Sequence, residues 1–335
     1  MNAVRTELPG GRWHFQHGPI DIVIGADGRA DALNAAHGAA WARFQGVLAE
    51  LVAELPALRQ PVGAGCTLQG VVARRMWQAC AALPAGFITP MAAVAGAVAQ
   101  ELIGCYQRPG VLRAWVNNGG DIALHLAPGQ SVRVGLFADL ARLDERALHQ
   151  SRAGRLPLDG QFQITAAQPV RGLATSGWRG RSFSFGIADS VTVLAATAAQ
   201  ADAAATMVAN AVDVDDARIQ RRPANSLKDG SDLGERLVTV AVPALAPQQV
   251  QGALWRGMHC ALDLQRRGLL FSAALVCQGR LASLPAAIDL APEATLNKSP
   301  RREGLVQRRP NAMVGAEPAR PIDCLPFTGA HTPCP

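Results

Sequence analysis

The sequence predicts an α+β fold in which antiparallel sheets are packed by helices. Three observations predict it. Apolar runs of strand length are joined by turn residues, longer helical patterns lie between them, and alanine is abundant enough for close packing of small side chains. With 335 residues, 49% of them hydrophobic and 17% charged, the chain is long enough to bury a real core.

Ile20 to Gly25 alternates and runs into Ala26-Asp27-Gly28, a strand closed by a turn. Residues 30–55 carry Trp41, Phe44, Val47, Leu48 and Leu51 at helical spacing, and Pro56 and Pro61 end that helix. Residues 71–83 read as a shorter helix. Thr89-Pro90 opens another over 91–100, because threonine is a good N-cap and proline is favoured at the first helical position. That helix carries alanine or glycine at 92, 93, 95, 96, 97 and 99. Such a face admits a second backbone or a planar ligand. Tight helix–sheet packing is the simpler reading, and a homodimer interface is a third.

Val111 to Val116, Ile122 to Leu126, Ser131 to Leu136 and Phe162 to Thr165 read as strands, the first two joined by Asn117-Asn118-Gly119-Gly120-Asp121. Residues 171–180 read as a loop rich in glycine and hydroxyls. A strand at 191–195, a helix at 198–212, a strand at 237–242, a helix at 248–265 and a strand at 270–276 complete the pattern. No internal sequence repeat is visible. Past residue 285 proline, arginine and small polar residues take over, so one unit is expected over 1–285 and a disordered basic tail over 286–335.

The net charge of +6 is concentrated late in the chain and no basic stripe is interleaved with aromatics, which argues against nucleic-acid binding. Seven cysteines at long spacings include no C-x-x-C pair, the usage of reduced thiols in the cytoplasm. No stretch reaches the ~20 apolar residues of a membrane span, and Met1 to His17 lacks the pattern of an export signal. A cytoplasmic protein without membrane contact is expected.

Four clusters carry candidate chemistry. Asn118, Gly119, Gly120 and Asp121 form a turn whose backbone N–H groups suit an anion, although Asn-Gly is also the commonest hairpin signal. Thr175, Ser176 and Gly177, followed by Arg179, Arg181 and Ser182, gather hydroxyls and guanidiniums suited to phosphate, or form a solvated loop. Asp202 and Thr206 stand one helical turn apart, a spacing that suits a hard cation such as Mg²⁺ and also an ordinary helix face. Asp189 lies where a loop enters a strand, as a metal ligand, an acid–base group or a turn cap. No G-x-S-x-G, H-E-x-x-H, G-x-G-x-x-G or P-loop pattern is present.

Taken in order, Thr89-Pro90-Met91 with its small-residue helix, Val116-Asn-Asn-Gly-Gly-Asp-Ile122, Thr175-Ser-Gly with Ser182-Phe-Ser-Phe-Gly-Ile-Ala-Asp189, and Ala201-Asp-Ala-Ala-Ala-Thr206 running on to Ala209-Asn210 resemble uncharacterised protein family 0280 of the ApbE superfamily. The resemblance implies a pseudo-duplicated, T-fold-like arrangement of antiparallel sheets around a central cleft. The superfamily includes FAD:protein FMN transferases, so it also implies Mg²⁺ on Asp202 and Thr206. A small anionic or nucleotide-like ligand, FAD or FMN among the candidates, would lie against the Gly-Gly-Asp turn and the Thr175 loop. Asp189 is the acid–base candidate. The transferases' His-x-x-Asp-Pro-x-x-Gly stretch is replaced here by Arg181-Ser-Phe-Ser-Phe-Gly-Ile-Ala-Asp189, which counts against FMN transfer. The resemblance also implies a non-catalytic alternative, an accessory role beside sulfur-assimilation partners in homocysteine formation.

Overall fold

The structure, a computed structural model, describes residues 2–84, 86–136, 160–284 and 288–289. Strands β1 (Val4–Leu8), β2 (Arg12–His17) and β3 (Ile20–Gly28) open the chain as an antiparallel meander. Helices α1 (Ala30–Ala53), α2 (Leu55–Leu58), α3 (Val71–Ala81) and α4 (Val94–Ile103) follow. The chain then returns to the sheet as the hairpin β4 (Val111–Asn118) and β5 (Asp121–Leu126). Strands β6 (Ser131–Leu136) and β7 (Gly160–Thr165) form a separate antiparallel pair.

The second part of the chain repeats the first. Strands β8 (Gly172–Ser176) and β9 (Ser190–Ala195) pair, then α5 (Ala198–Ala211) runs back over the sheet. Next come β10 (Gln220–Pro223), β11 (Leu237–Ala241) and α6 (Pro247–Arg266), and the hairpin β12 (Ser272–Cys277) and β13 (Arg280–Ser283) closes the unit. Each half therefore places its helices between two antiparallel strand pairs, β2-β3 and β4-β5 in the first and β8-β9 and β12-β13 in the second. The halves lie side by side in one nine-stranded antiparallel sheet ordered β1-β2-β3-β4-β5-β8-β9-β12-β13. This is the duplicated α+β arrangement expected, although the sequences of the two halves show no repeat. A short strand β14 (Ile288–Asp289) pairs with β7, and the rest of the expected tail lies outside the described residues.

Period-two alternation decides which face each strand residue serves. Phe15, Ile22, Ile24, Val116 and Ala123 point to the helical face and pack with Phe44, Val47, Met76 and Leu102. Ile122, Leu124, Leu173 and Leu194 point the other way and pack with Val132, Val134 and Ile164 of the small sheet. Phe44 is fully buried, with ring centroids 5.4 Å from Phe15 and 6.0 Å from Trp41. Phe44→Ala is expected to destabilise the protein by about 3–5 kcal/mol in urea unfolding, the range for aromatic truncation in a close-packed core. Arg43 ties the helices together by pairing with Glu50 of α1 and Glu101 of α4, and Arg75 of α3 pairs with the same Glu101. Both bonds hold the Glu101 carboxyl below its ordinary value against the opposing effect of burial.

Two elements differ from the sequence reading. Gly172–Ser176, expected as a loop, is strand β8, hydrogen-bonded to β5 on one side and β9 on the other. Its glycine is needed for approach rather than for a turn, since a Cβ at Gly172 would lie 2.2 Å from the backbone of Thr197 and Ala198 where α5 begins. Gly172→Ala should therefore lower the melting temperature sharply by separating α5 from the sheet, a loss absent from the exposed, open control Gly38→Ala.

The second difference is at Thr89. It precedes a 3₁₀ turn over Pro90–Ala93 and makes no capping bond, and the α-helix proper starts at Val94. The Thr89 hydroxyl donates instead to Asp232, 2.5 Å away.

Candidate functional site

The cap that Thr89 does not supply comes from another helix. Asp202 of α5 accepts a hydrogen bond at 2.9 Å from the N–H of Gly96, in the first turn of α4, and its carboxylate is also bonded by the Ala95 N–H. The N-terminus of a helix carries unpaired N–H donors and partial positive charge, so a carboxylate is stabilised there. The contact requires a glycine, because a Cβ on Gly96 would sit 2.3 Å from the Ala198 carbonyl and 2.9 Å from the Asp202 Cβ. The small-residue face of α4 thus serves helix–helix contact with α5.

Asp121 reaches the same place from the sheet. Asn118 and Asp121 are opposite partners flanking the two-residue turn Gly119-Gly120, where φ is +66° and +114°. Both side chains lie on the helical face. Asn118 donates to the Ala95 carbonyl at 3.1 Å, and Asp121 accepts from the Thr175 N–H at 3.2 Å. Burial raises the Asp121 carboxyl to about 7. Burial also pushes Asp202 well above the ordinary carboxylate range, and the neighbouring charge of Asp121 adds to the shift. Two desolvated carboxylates, one of them pushed further up by the charge of the other, are matched electrostatically by a cation between or beside them.

The other candidates divide. Thr206 stands one turn beyond Asp202 on α5 and Ser176 lies on the helical face of β8. The Thr175 side chain points to the opposite face, where its hydroxyl pairs with that of Thr192 at 2.8 Å, so only its backbone N–H faces the site. Arg181 extends over the Gly119 turn, its Nη1 3.0 Å from where a Cβ on Gly119 would stand. Gly177 has Asp189 and Ala188 carbonyls where a Cβ would lie, and Ser182 is exposed.

Asp189 accepts from the Gln278 N–H in the β12–β13 turn and pairs with Arg179 at 3.1 Å. Arg179 also lies over the Trp178 ring at 5.2 Å. The structure therefore gives Asp189 a bracing position between two loops. His125 bonds the Val111 carbonyl at the far end of β5 from Asp121. Among the described residues no group of three or more His, Cys, Asp or Glu stands ready for a metal ion, so any cation would rest on two carboxylates, hydroxyl and carbonyl oxygens.

Sequence reading missed the Ala95 and Gly96 N–H groups and the Asp232 partner of Thr89, none of which has a local signature. Asn210 was visible only as part of a motif. It stands one further turn along α5 and accepts from Phe185 N–H at 2.9 Å and Ser184 Oγ at 3.1 Å, fixing the segment between β8 and β9.

A family model described as AbpE bacteria matches residues 5–283, which includes every one of these site residues. The chain belongs to this family. A UPF0280 protein of Methanopyrus kandleri is 36% identical over 225 residues, covering 66% of this chain and 82% of the relative. One from Methanospirillum hungatei is 40% identical over 141 residues, covering 41% of this chain and only half of the relative's length. Among solved structures, the ApbE protein of Thermotoga maritima aligns with a TM-score of 0.36 at 13% identity over 84% of this chain and 96% of its own. The apo flavinyl transferase ApbE of Pseudomonas stutzeri aligns with a TM-score of 0.38 at 14% identity, covering 84% and 93%. Among the described residues no helix of this AbpE-family chain is long and apolar enough to cross a membrane.

Proposed function

We propose that this AbpE-family chain binds an anionic, nucleotide-like ligand together with Mg²⁺ at the junction of its two halves. The observation that carries the reading is the convergence of Asp121 and Asp202 at the N-terminus of α4. The donor set fits the ion: Mg²⁺ takes hard oxygen ligands and keeps several waters, so two carboxylates and a hydroxyl suffice. Asp202 and Thr206 would hold it, with Asp121 beside them. Bound there, Mg²⁺ would neutralise phosphate charge and polarise a phosphoryl oxygen.

The chain's own groups would do the rest. The Gly119-Gly120 turn would admit the ligand's backbone-close approach, and Arg181 above it would pair with a phosphate. Asn118 would keep α4 registered to the turn, and the Thr175 N–H would hold Asp121 in place. Ser176, Ser182 and the loop from Gly177 to Arg179 would close the same side. A thermal-shift titration with FAD, FMN and ADP, each with and without Mg²⁺, tests this. A ligand at a hundredfold excess over Kd adds roughly 2.7 kcal/mol to stability, readily seen as a rise in Tm. A Mg²⁺-dependent rise is the expected result, and none with any of the three overturns the reading. A rise with FAD in particular would favour flavin transfer.

A second reading is favoured by Asp189. Its oxygens are occupied by the Gln278 N–H and Arg179, a placement that suits bracing more than proton transfer. In this reading the chain binds its ligand as an accessory to sulfur-assimilation partners and performs no chemistry. Asp189→Asn and the wild type together separate the two: turnover lost with binding intact marks Asp189 as an acid–base group, unchanged turnover leaves Asp189 a brace within an enzyme, and no turnover in the wild type marks the accessory.

A further inference from the structure

A pocket of about 420 Å³ opens between the end of α2 and the segment joining β10 to β11. Arg59, Phe87, Gly230, Asp232 and Arg236 line it. The Arg236 guanidinium carbon stands 3.4 Å from the Phe87 ring centroid, a cation–π contact that holds the group in this wall. Arg59 approaches from the other wall, its Nη1 3.2 Å from where a Cβ on Gly230 would be. Among the described residues neither guanidinium has a carboxylate partner. Asp232, the acidic residue in the lining, is held by the Thr89 hydroxyl, which is itself 2% exposed.

The wall is built rather than loose. Ala224 N–H donates to the Arg236 carbonyl and Asn225 N–H to the Gly234 carbonyl, both at 3.0 Å, and Glu235 is bonded by the Asn225 side chain. Gly230 and Gly234 adopt φ of +64° and +56°, turns that hold the segment in this shape. A chain of contacts links the pocket to the first site. Phe87 contacts Phe185 with centroids 6.2 Å apart, Phe185 is fixed by Asn210, and Asn210, Thr206 and Asp202 follow one another at single turns along α5. That path runs on the order of 12 Å along the helix.

We infer that the space between Arg59 and Arg236 is a second oxyanion subsite, taking a phosphate group of a ligand in the same cleft. Two guanidinium forks on opposite walls suit a tetrahedral group with several acceptor oxygens better than a planar carboxylate. The assignment of the subsite to the same ligand rests on the function proposed above, while its existence does not.

Backbone amide shifts, followed during titration with inorganic pyrophosphate at low ionic strength, report the two places separately. The amides of residues 230–234 are expected to shift and saturate. Arg59→Gln combined with Arg236→Gln should weaken that response about tenfold or more, since charge-assisted bonds are the stronger class. Gly119 and Gly120 should respond as in the wild type, with Tm unchanged because both arginines are exposed. No saturable shift at 230–234, or an affinity in the double variant within twofold of wild type, overturns the subsite. Asp202→Asn with Mg²⁺ tests the first site alone, so loss of Mg²⁺ dependence there beside a silent 230–234 segment would sink only the subsite.

Discussion

Asp202→Asn is expected to remove the Mg²⁺-dependent part of the proposed ligand binding while leaving the fold in place. The choice of asparagine matters. Its side-chain oxygen can still accept from the Gly96 N–H that Asp202 satisfies at 2.9 Å, so α4 keeps its cap. Alanine would remove charge and cap together and add a stability loss of about 1 kcal/mol to the readout. Loss of one directly coordinating carboxylate should exceed the 10- to 100-fold effect typical of residues that only support a ligand, so Mg²⁺ affinity is expected to fall by more than about a hundredfold. Thr206→Val should show a smaller loss of the same kind. The measurement is Tm against Mg²⁺ concentration at fixed nucleotide. A variant that keeps the wild-type Mg²⁺ dependence would remove Asp202 from the metal site.

Asp121→Asn should make the metal-free protein more stable at pH 8 than the wild type. Burial raises the native Asp121 carboxyl to about 7 from the ordinary 3.8. Between those values the native state holds a proton that the unfolded chain has released. Wild-type stability therefore falls as pH rises from about 4 to about 7, and the penalty is constant above that. Its size is on the order of 4 kcal/mol at 1.36 kcal/mol per unit. Asparagine stays neutral throughout and can still accept from the Thr175 N–H. Urea unfolding at pH 5 and pH 8 should show the variant's advantage growing with pH, and an advantage that shrinks with pH would contradict the buried-carboxylate account. Saturating Mg²⁺ should narrow the advantage, because the Asp121 charge beside the ion strengthens its binding in the wild type while Asp202 and Thr206 remain in both.

These two residues also show how far sequence carries the site. The Gly-Gly-Asp turn was legible because a two-residue glycine turn between apolar runs is local chemistry, and Asp202 with Thr206 because helical spacing is. The faces were legible wherever apolar residues alternate, as in β4 and β5. Gly172–Ser176 was not, because its strand character comes from neighbours on both sides and its glycine from the closeness of α5. Thr89 was misassigned as a cap because N-cap propensity is a local rule, and here Asp202 from 106 residues away satisfies the helix end. The turn of Thr175 towards Thr192 and the Asp232 clasp on Thr89 likewise depend on chain segments distant in sequence.

Within the sheet, the join between the halves is narrow. β5 and β8 share only two registered pairs, Ile122 with Leu173 and Ala123 with Gly172, while α4 and α5 cross above them. The first half contributes Asp121 and the α4 N-terminus, and the second contributes Asp202 and Thr206. A partial opening that parts the halves without melting either would scatter these groups first. On the function proposed above, ligand affinity would thus report on this opening rather than on global unfolding. Hydrogen exchange at the β5–β8 amides should slow on ligand binding by more than exchange in β2 or β12, which lie far from the seam.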